Sequence, residues 1–265
     1  MKVLFLGVIV GKAGRDAAAR FMADFVRDRG KPDLAIANAN HAAQGAGLTK
    51  DTAIEIFDSG VDVITMGQDV WAQSELEDFI AKRDEILRPV NLPESNPGRG
   101  ILSFETAGGS GPVGIINLSG YSFIRNILPE NPFPIIHGLV RKTRAAAQVI
   151  VMDFYAVPSA EKAAMKYHLD GMVSLIAGTG TLVQTSDESV SKTGTASITD
   201  VGMVGAYESV VGFEKEREIR RYTTSVKSFP KPAEGKGRAD AILCEIDPET
   251  GWALSIERIS DIIDA

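Results

Sequence analysis

The first third of the chain repeats one order of elements, which is an apolar strand, a turn and an amphipathic helix. After the first strand, residues 7–14 include Gly7, Gly11 and Gly14 and are predicted to form a loop. Strands that are apolar on both faces and alternate with helices are typical of an α/β protein with a partly parallel sheet. The pattern predicts strands over residues 2–6, 33–37 and 61–65, and helices over residues 15–29, 50–59 and 74–84.

The second half of the chain keeps this alternation only at its start and then consists mainly of short β segments. No repeat and no change of composition marks a linker. We therefore expect one domain over residues 1–265, built from two packed sheets with outer helices. The pattern predicts strands over 112–118 and 149–154, a helix over 135–147, a turn at 107–111, an exposed loop over 230–238, and a hairpin of 241–246 with 253–258.

Composition indicates an ordinary soluble globular protein, because 44% of the 265 residues are hydrophobic and 24% are charged. The net charge is −7 and is spread along the chain. This distribution gives no evident nucleic-acid binding surface and no surface for an anionic membrane.

The single cysteine, Cys244, excludes an internal disulfide and any zinc site built from several thiolates. We interpret it as a small buried residue. The apolar run at residues 3–10 is followed at once by Lys12 and Arg15, so it is interpreted as a strand rather than a signal peptide. A membrane span needs about 20 apolar residues, and none occurs, so a cytoplasmic location is expected.

Common catalytic motifs are missing from the sequence. Only three residues separate Gly7 from Gly11, and Ala13 follows Lys12, so the glycines do not match a phosphate-binding P-loop. The histidines are His41, His137 and His168, too few for an imidazole-rich metal site. No G-x-S-x-G sequence indicates a nucleophilic serine.

Polar side chains gather at the carboxyl ends of three predicted strands. In open α/β sheets these ends form the ligand-binding crevice, so the residues could share one rim. Asn, Gln and Asp also follow strands simply because they form turns, and the sequence alone leaves both interpretations open. The residues are Asn38, Asn40 and His41, then Gln68 and Asp69, and then Asp153 and Tyr155.

Nearly the whole chain resembles one bacterial family, the YmdB-type calcineurin-like metallophosphoesterases, in collinear order. The resemblance implies a four-layer α/β/β/α sandwich with two mixed sheets, and a dinuclear metal centre at the strand ends that hydrolyses phosphodiesters, notably 2′,3′-cyclic nucleotides. Two metals about 3.5–4 Å apart clamp the phosphate and generate hydroxide. The segments that carry the resemblance are KVLFLGVIVGKAGRD, NANHAAQGAGLT, VITMGQDVW, RPVNLPESNPGRGI, DFYAVPSAEKAA, LDGMVSLIAGTGTLVQT and ITDVGMVGAYESVVG.

At the positions where the family pattern places metal ligands and a general-acid histidine, this chain carries other residues. The resemblance assigns seven ligands and the acid to Gly-Asp, Gly-Glu-Asn, Met-Gly-Asn-His, Asp-Phe-His and Gly-Thr-His-Thr-His. Scaffold residues of the same segments, such as Gly178 and Gly202, remain. We therefore expect a degenerate pocket with no catalytic residue and no metal cofactor. The occupants of those positions are Val8, Asn40, His41, Gln68, Asp69, Tyr155, Gly180 and Leu182.

Three functional hypotheses follow. The first is a non-catalytic family member that acts as a scaffold, binding or regulatory protein through its surfaces, as a homo-oligomer or with a protein partner. The second is a phosphodiesterase with a remodelled metal centre around His41 and Asp69. The third is a metal-free sensor that binds a nucleotide through Asn38, Asn40, Gln68 and Tyr155.

Overall fold

The computed structural model describes residues 1–106, 109, 111–224, 226 and 229–264, and in these residues the strands form two mixed sheets. The first sheet has seven strands in the order β13-β12-β11-β1-β2-β3-β4. Its parallel centre is β11, β1, β2, β3 and β4, and β12 joins it antiparallel. The strands are β1 (Lys2–Val10), β2 (Leu34–His41), β3 (Val63–Thr65), β4 (Ile86–Leu87), β11 (Met203–Ala206), β12 (Gly237–Ile246) and β13 (Ala253–Ile263).

The second sheet has six strands in the order β5-β6-β7-β8-β10-β9. Strands β6, β7, β8 and β10 run parallel, and the two edge strands are antiparallel to their neighbours. The strands are β5 (Ile101–Glu105), β6 (Pro112–Ser119), β7 (Val149–Tyr155), β8 (Leu175–Thr179), β9 (Ser189–Val190) and β10 (Ala196–Ile198).

Three apolar layers hold the sheets and helices together. One core lies between the two sheets, because residues such as Phe5 and Ile36 of the first sheet pack with Val151 of the second. A second core joins the first sheet to α1, α2 and α3, and a third joins the second sheet to α4 and α5. The predicted four-layer α/β/β/α sandwich is confirmed. The helices are α1 (Gly11–Arg29), α2 (Lys50–Asp58), α3 (Leu76–Ile80), α4 (Pro132–Arg144), α5 (Ser159–His168) and α6 (Lys215–Thr224).

The loop predicted over residues 7–14 is wrong, because β1 continues to Val10 and α1 begins at Gly11. A Cβ at Gly7 would lie 2.5 Å from the carbonyl oxygen of Gly202. This glycine therefore permits a close approach of two backbones within the sheet, not a turn.

Three further predictions concern a hairpin, the single cysteine and a turn. The hairpin of 241–246 with 253–258 is confirmed as part of β12 and β13. Cys244 lies fully buried between the sheets, as predicted, and burial raises the pKa of its thiol to about 12. The turn predicted at 107–111 falls mostly outside the described residues. No described helix combines the length and the apolar character needed to cross a bilayer.

Candidate functional site

The strand ends of the two sheets meet through hydrogen bonds between buried polar side chains. Asn38 on β2 donates from Nδ2 to Asp153 Oδ2 on β7, at 2.8 Å. Asn40 donates from Nδ2 to the Tyr155 hydroxyl at 3.3 Å. The packing of one sheet against the other therefore brings residues 115 positions apart into one cluster.

Asn40 is the centre of this cluster, and its amide group is fully hydrogen-bonded. Its Oδ1 accepts from the backbone amides of Gly67, at 3.0 Å, and Asp69, at 2.8 Å. Its Nδ2 donates to Asp69 Oδ2, at 2.9 Å, as well as to Tyr155. Because Asn40 has no solvent exposure, these bonds satisfy a side chain that would otherwise be costly to bury.

Asp69 and His41 form a close pair beside Asn40. His41 Nδ1 lies 3.3 Å from Asp69 Oδ2 and 3.0 Å from the carbonyl oxygen of Gly45. Asp69 Oδ1 also accepts from Asn126 Nδ2. Burial lowers the pKa of His41, and the nearby Asp69 carboxylate and Gly45 carbonyl oppose this shift only in part. The imidazole is therefore held mainly neutral near pH 7.

Tyr155 fills the space between β3 and the loop that follows β8. Its ring lies so close to Gly67 that a Cβ on that glycine would overlap it. Burial raises the pKa of the phenol, and the carboxylates of Asp69 and Asp153 raise it further. Tyr155 is therefore a neutral hydroxyl with a packed ring, and it cannot serve as an anionic phenolate ligand near neutral pH.

An apolar cluster forms the neighbouring wall. Val8 and Leu182 belong to it and are buried. Leu182 has φ +65°, and Gly180 has φ +111° with the position of a Cβ only 2.9 Å from the carbonyl oxygen of Ala156. The remaining members are Val10, Met203 and Phe213, and the Phe213 ring packs edge-on to His41 at 5.8 Å.

Gln68 lies at the margin of the cluster. It is half-buried, and its Oε1 accepts from the backbone amide of Arg125 at 3.3 Å. We name the group of Asn40, His41, Asp69, Tyr155 and Asn126 the rim network, because its members hydrogen-bond one another across the strand ends.

Asp153 was recognised from the sequence only as one of several polar residues, but it is fully buried under the rim network. Its carboxylate accepts from Thr65 Oγ1 at 2.5 Å, Asn38 Nδ2 at 2.8 Å and Thr179 Oγ1 at 2.7 Å. Burial raises its pKa to about 6 despite these hydrogen bonds. A carboxylate inside the otherwise apolar strand VIVMDFY is a signal that sequence analysis could have used.

The shifted pKa of Asp153 predicts a pH dependence of stability. A folded-state pKa of about 6 against an ordinary 3.8 means that the folded protein binds the proton more tightly. The contribution of Asp153 to the free energy of unfolding therefore rises by about 3 kcal/mol in total as the pH falls from about 7 to 4. We expect the unfolding free energy of Asp153→Asn, minus that of wild type, to decrease as the pH is lowered over this range. Urea unfolding measures both values. A difference that is constant with pH would contradict the shift.

Sequence analysis also missed a buried ion pair that supports the loop after β8. Lys162 Nζ on α5 lies 2.5 Å from Asp200 Oδ2, and both side chains are almost fully buried. Asp200 Oδ2 also accepts from the backbone amide of Thr181, at 2.9 Å, and from its hydroxyl, at 2.7 Å. The only sequence signal was the presence of Lys162 and Asp200 in segments that resemble the family.

The donors of this site do not fit a dinuclear metal centre. Two divalent cations need several carboxylate and imidazole ligands. The positions concerned offer one carboxylate, one imidazole, two amides and a phenol, beside Val8 and Leu182. Across the part of the chain that the structure describes, no three His, Cys, Asp or Glu side chains are arranged to hold a metal ion.

Comparison with known proteins places this fold in a family. The family model described as "YmdB-like protein" matches residues 4–259. The chain belongs to the YmdB-like family. It is 36% identical over 259 residues to the 2′,3′-cyclic-nucleotide 2′-phosphodiesterase of Bacillus subtilis (strain 168), covering 98% of this chain and 96% of that protein.

Two solved structures superpose closely on this chain. A phosphatase from Mycoplasma pneumoniae superposes with a TM-score of 0.92 at 31% identity, covering 100% of this chain and 94% of that one. A hypothetical protein from Thermus thermophilus gives 0.90 at 30% identity, covering 99% and 100%. Phosphodiesterases and phosphatases are thus among the relatives of this YmdB-like chain.

Proposed function

We propose that this chain is a non-catalytic member of the YmdB-like family, acting as a scaffold, binding or regulatory protein through its surfaces. The observation that carries the proposal is that the hydrogen bonds of the rim network are satisfied within the protein. Asn40, Asp69 and Tyr155 are buried and satisfy one another. Side chains whose donors and acceptors are already used have little capacity left to bind a phosphate or a cation.

Hydrolysis of a phosphodiester also needs positive charge where the phosphoryl oxygens become more negative. The rim network has too few carboxylate and imidazole ligands to hold two cations, and it includes no Arg or Lys side chain, so neither source supplies that charge. A neutral His41 beside Asp69 lacks a positive charge as well. These features favour loss of the family's hydrolytic chemistry.

The backbone after β8 supports the same proposal. The resemblance assigns a histidine ligand to the position of Gly180, which here has a φ of +111°. A side chain at this φ is strained, and its Cβ would approach the carbonyl oxygen of Ala156 at 2.9 Å. Substitution of a histidine at this position would therefore require the loop to move.

Surface contacts would then carry the function, and two segments with exposed apolar side chains adjoin the rim network. Residues 121–128 contain Asn126, which bonds Asp69, and expose the side chains of Tyr121 and Phe123. Residues 213–224 contain Phe213, which packs on His41, and expose Tyr222. Exposed apolar residues of this kind favour contact with a protein partner or a second copy. A cytoplasmic location is part of the same proposal.

A second candidate function is a phosphodiesterase with a remodelled centre around His41 and Asp69. The relatives described as phosphodiesterase or phosphatase favour it, as does the 3.3 Å separation of the two side chains. The nucleotide sensor is not carried further, because Asn38 and Asn40 are fully buried and their amide groups are bonded within the protein.

Hydrolysis assays separate the two candidates. The purified protein is incubated with 2′,3′-cyclic AMP and with bis(p-nitrophenyl) phosphate, each with Mn²⁺, and the Bacillus subtilis relative serves as positive control. We expect no turnover above that of the His41→Ala/Asp69→Asn double variant, prepared identically. Turnover by wild type that the double variant loses would overturn the non-catalytic proposal in favour of the remodelled centre.

A further inference from the structure

A cavity of about 480 Å³ lies between α4 and the segment that connects β4 to β5. It shares no lining residue with the rim network. Its volume is within the range of sites for small molecules, about 300–1,000 Å³. Most of its wall is apolar, formed by Val90, Leu92, Ile101, Leu102, Leu139 and Ala147.

The charged residues of the lining are predominantly basic. Arg88, Arg99 and Lys142 are present, against the single carboxylate of Glu94. Arg99 is already neutralised, because its guanidinium lies 2.6 Å from Asp84. In the described residues, no carboxylate oxygen lies within 4.0 Å of the side-chain nitrogens of Arg88 or Lys142.

Arg88 is the decisive residue, because it is only 6% exposed. Its guanidinium donates to the backbone carbonyl oxygens of Pro97 at 3.1 Å, Pro89 at 3.0 Å and Asn96 at 3.4 Å. These bonds use three of the five N–H groups of the side chain but leave its charge uncompensated. Burial lowers the pKa of Arg88. A buried cation is costly unless an anion neutralises it.

We propose that this cavity binds a small amphiphilic anion, in which an apolar chain carries a carboxylate or a phosphate. The anionic group would neutralise Arg88 and Lys142, and the apolar chain would bury the wall formed by Val90 and Leu139. This combination of a mostly apolar wall with few polar groups is characteristic of small-molecule sites. The inference goes beyond the proposed function and does not depend on it.

Calorimetric titration tests the proposal with three probes that share a ten-carbon chain. Decanoate carries a carboxylate, decyl phosphate carries a phosphate, and decanol is uncharged. We expect one saturable site for decanoate, decyl phosphate or both, with decanol binding at least about tenfold more weakly, equivalent to about 1.4 kcal/mol. Binding of decanoate alone or of decyl phosphate alone supports the proposal and identifies the anionic group.

Variants locate the binding site without removing Arg88, whose loss would leave three carbonyl groups without their donor. We expect Lys142→Glu to weaken binding of the anionic probe about tenfold, and Ala146→Trp, which fills the cavity from an exposed position, to abolish it. Lys12→Glu, the same charge change on α1 at a side chain that is 76% exposed, should bind as wild type does. No saturable binding of either anion, equal binding of decanol, or affinity unchanged in both cavity variants would overturn the proposal.

Discussion

Replacing Lys162 with Met should lower the free energy of unfolding by about 3–5 kcal/mol, the usual loss when one partner of a buried ion pair is removed. The substitution retains most of the apolar side chain but leaves the Asp200 carboxylate, with no solvent exposure, without its counter-ion. Asp200 also accepts hydrogen bonds from the backbone amide and the hydroxyl of Thr181, so the loop after β8 should become more mobile when the ion pair is lost. Urea unfolding followed by circular dichroism measures the change.

Lys166→Met provides the matched control for this prediction, because Lys166 lies on the same helix. Its Nζ contacts the Ser189 hydroxyl at 2.9 Å, without an ion pair in the described residues. We expect this control to change stability by less than about 1 kcal/mol. The Lys162→Met/Asp200→Asn double variant should recover part of the loss, because it removes the unpaired charge. If Lys162→Met is no more destabilising than the control, the buried pair does not support the loop.

Replacing Asn40 with Ala should destabilise the fold by about 2–5 kcal/mol. The substitution leaves the buried backbone amides of Gly67 and Asp69 without an acceptor and removes a donor from Tyr155. Each unsatisfied buried group costs about 1–3 kcal/mol. In a working active site, by contrast, removing a polar residue is often neutral or stabilising, since such sites sacrifice stability for activity. The direction of the change therefore distinguishes the two interpretations of the rim network.

Gln68→Ala is the control for Asn40→Ala, since Gln68 lies at the margin of the same cluster, is half-buried and makes one hydrogen bond of 3.3 Å. Its effect should stay below about 1 kcal/mol. Both variants are compared with wild type in EDTA and in Mn²⁺. A loss of stability at Asn40 that appears only in Mn²⁺ would assign this side chain to a metal site rather than to an internal network.

Much of the fold could be predicted from the sequence, because apolar runs and glycines report local structure. The exception at residues 7–14 is instructive, since Gly7 is required by contact with Gly202, far away in the chain. Helix α6 was missed because it buries only Glu218 and so lacks the apolar stripe by which helices are recognised. Local sequence patterns therefore predict neither the contact of Gly7 with Gly202 nor helix α6.

The candidate site was predictable in its location but not in its bonding. The rule that strand ends form the ligand crevice grouped Asn40, Asp69 and Tyr155 correctly in space. Their hydrogen bonds depend on how two separate sheets stack, and nothing local in the sequence determines that. Lys162 and Asp200 are 38 positions apart on different elements, so their pairing is also a product of tertiary packing.

Metal content tests the central claim most directly. The protein is produced in medium supplemented with Mn²⁺, Fe²⁺ and Zn²⁺, purified without chelator or metal-affinity resin, and analysed by inductively coupled plasma mass spectrometry. The account predicts far less than one equivalent of any of these metals per chain, unchanged in the His41→Ala/Asp69→Asn double variant. Stoichiometric metal in the wild type that disappears in this variant would contradict it.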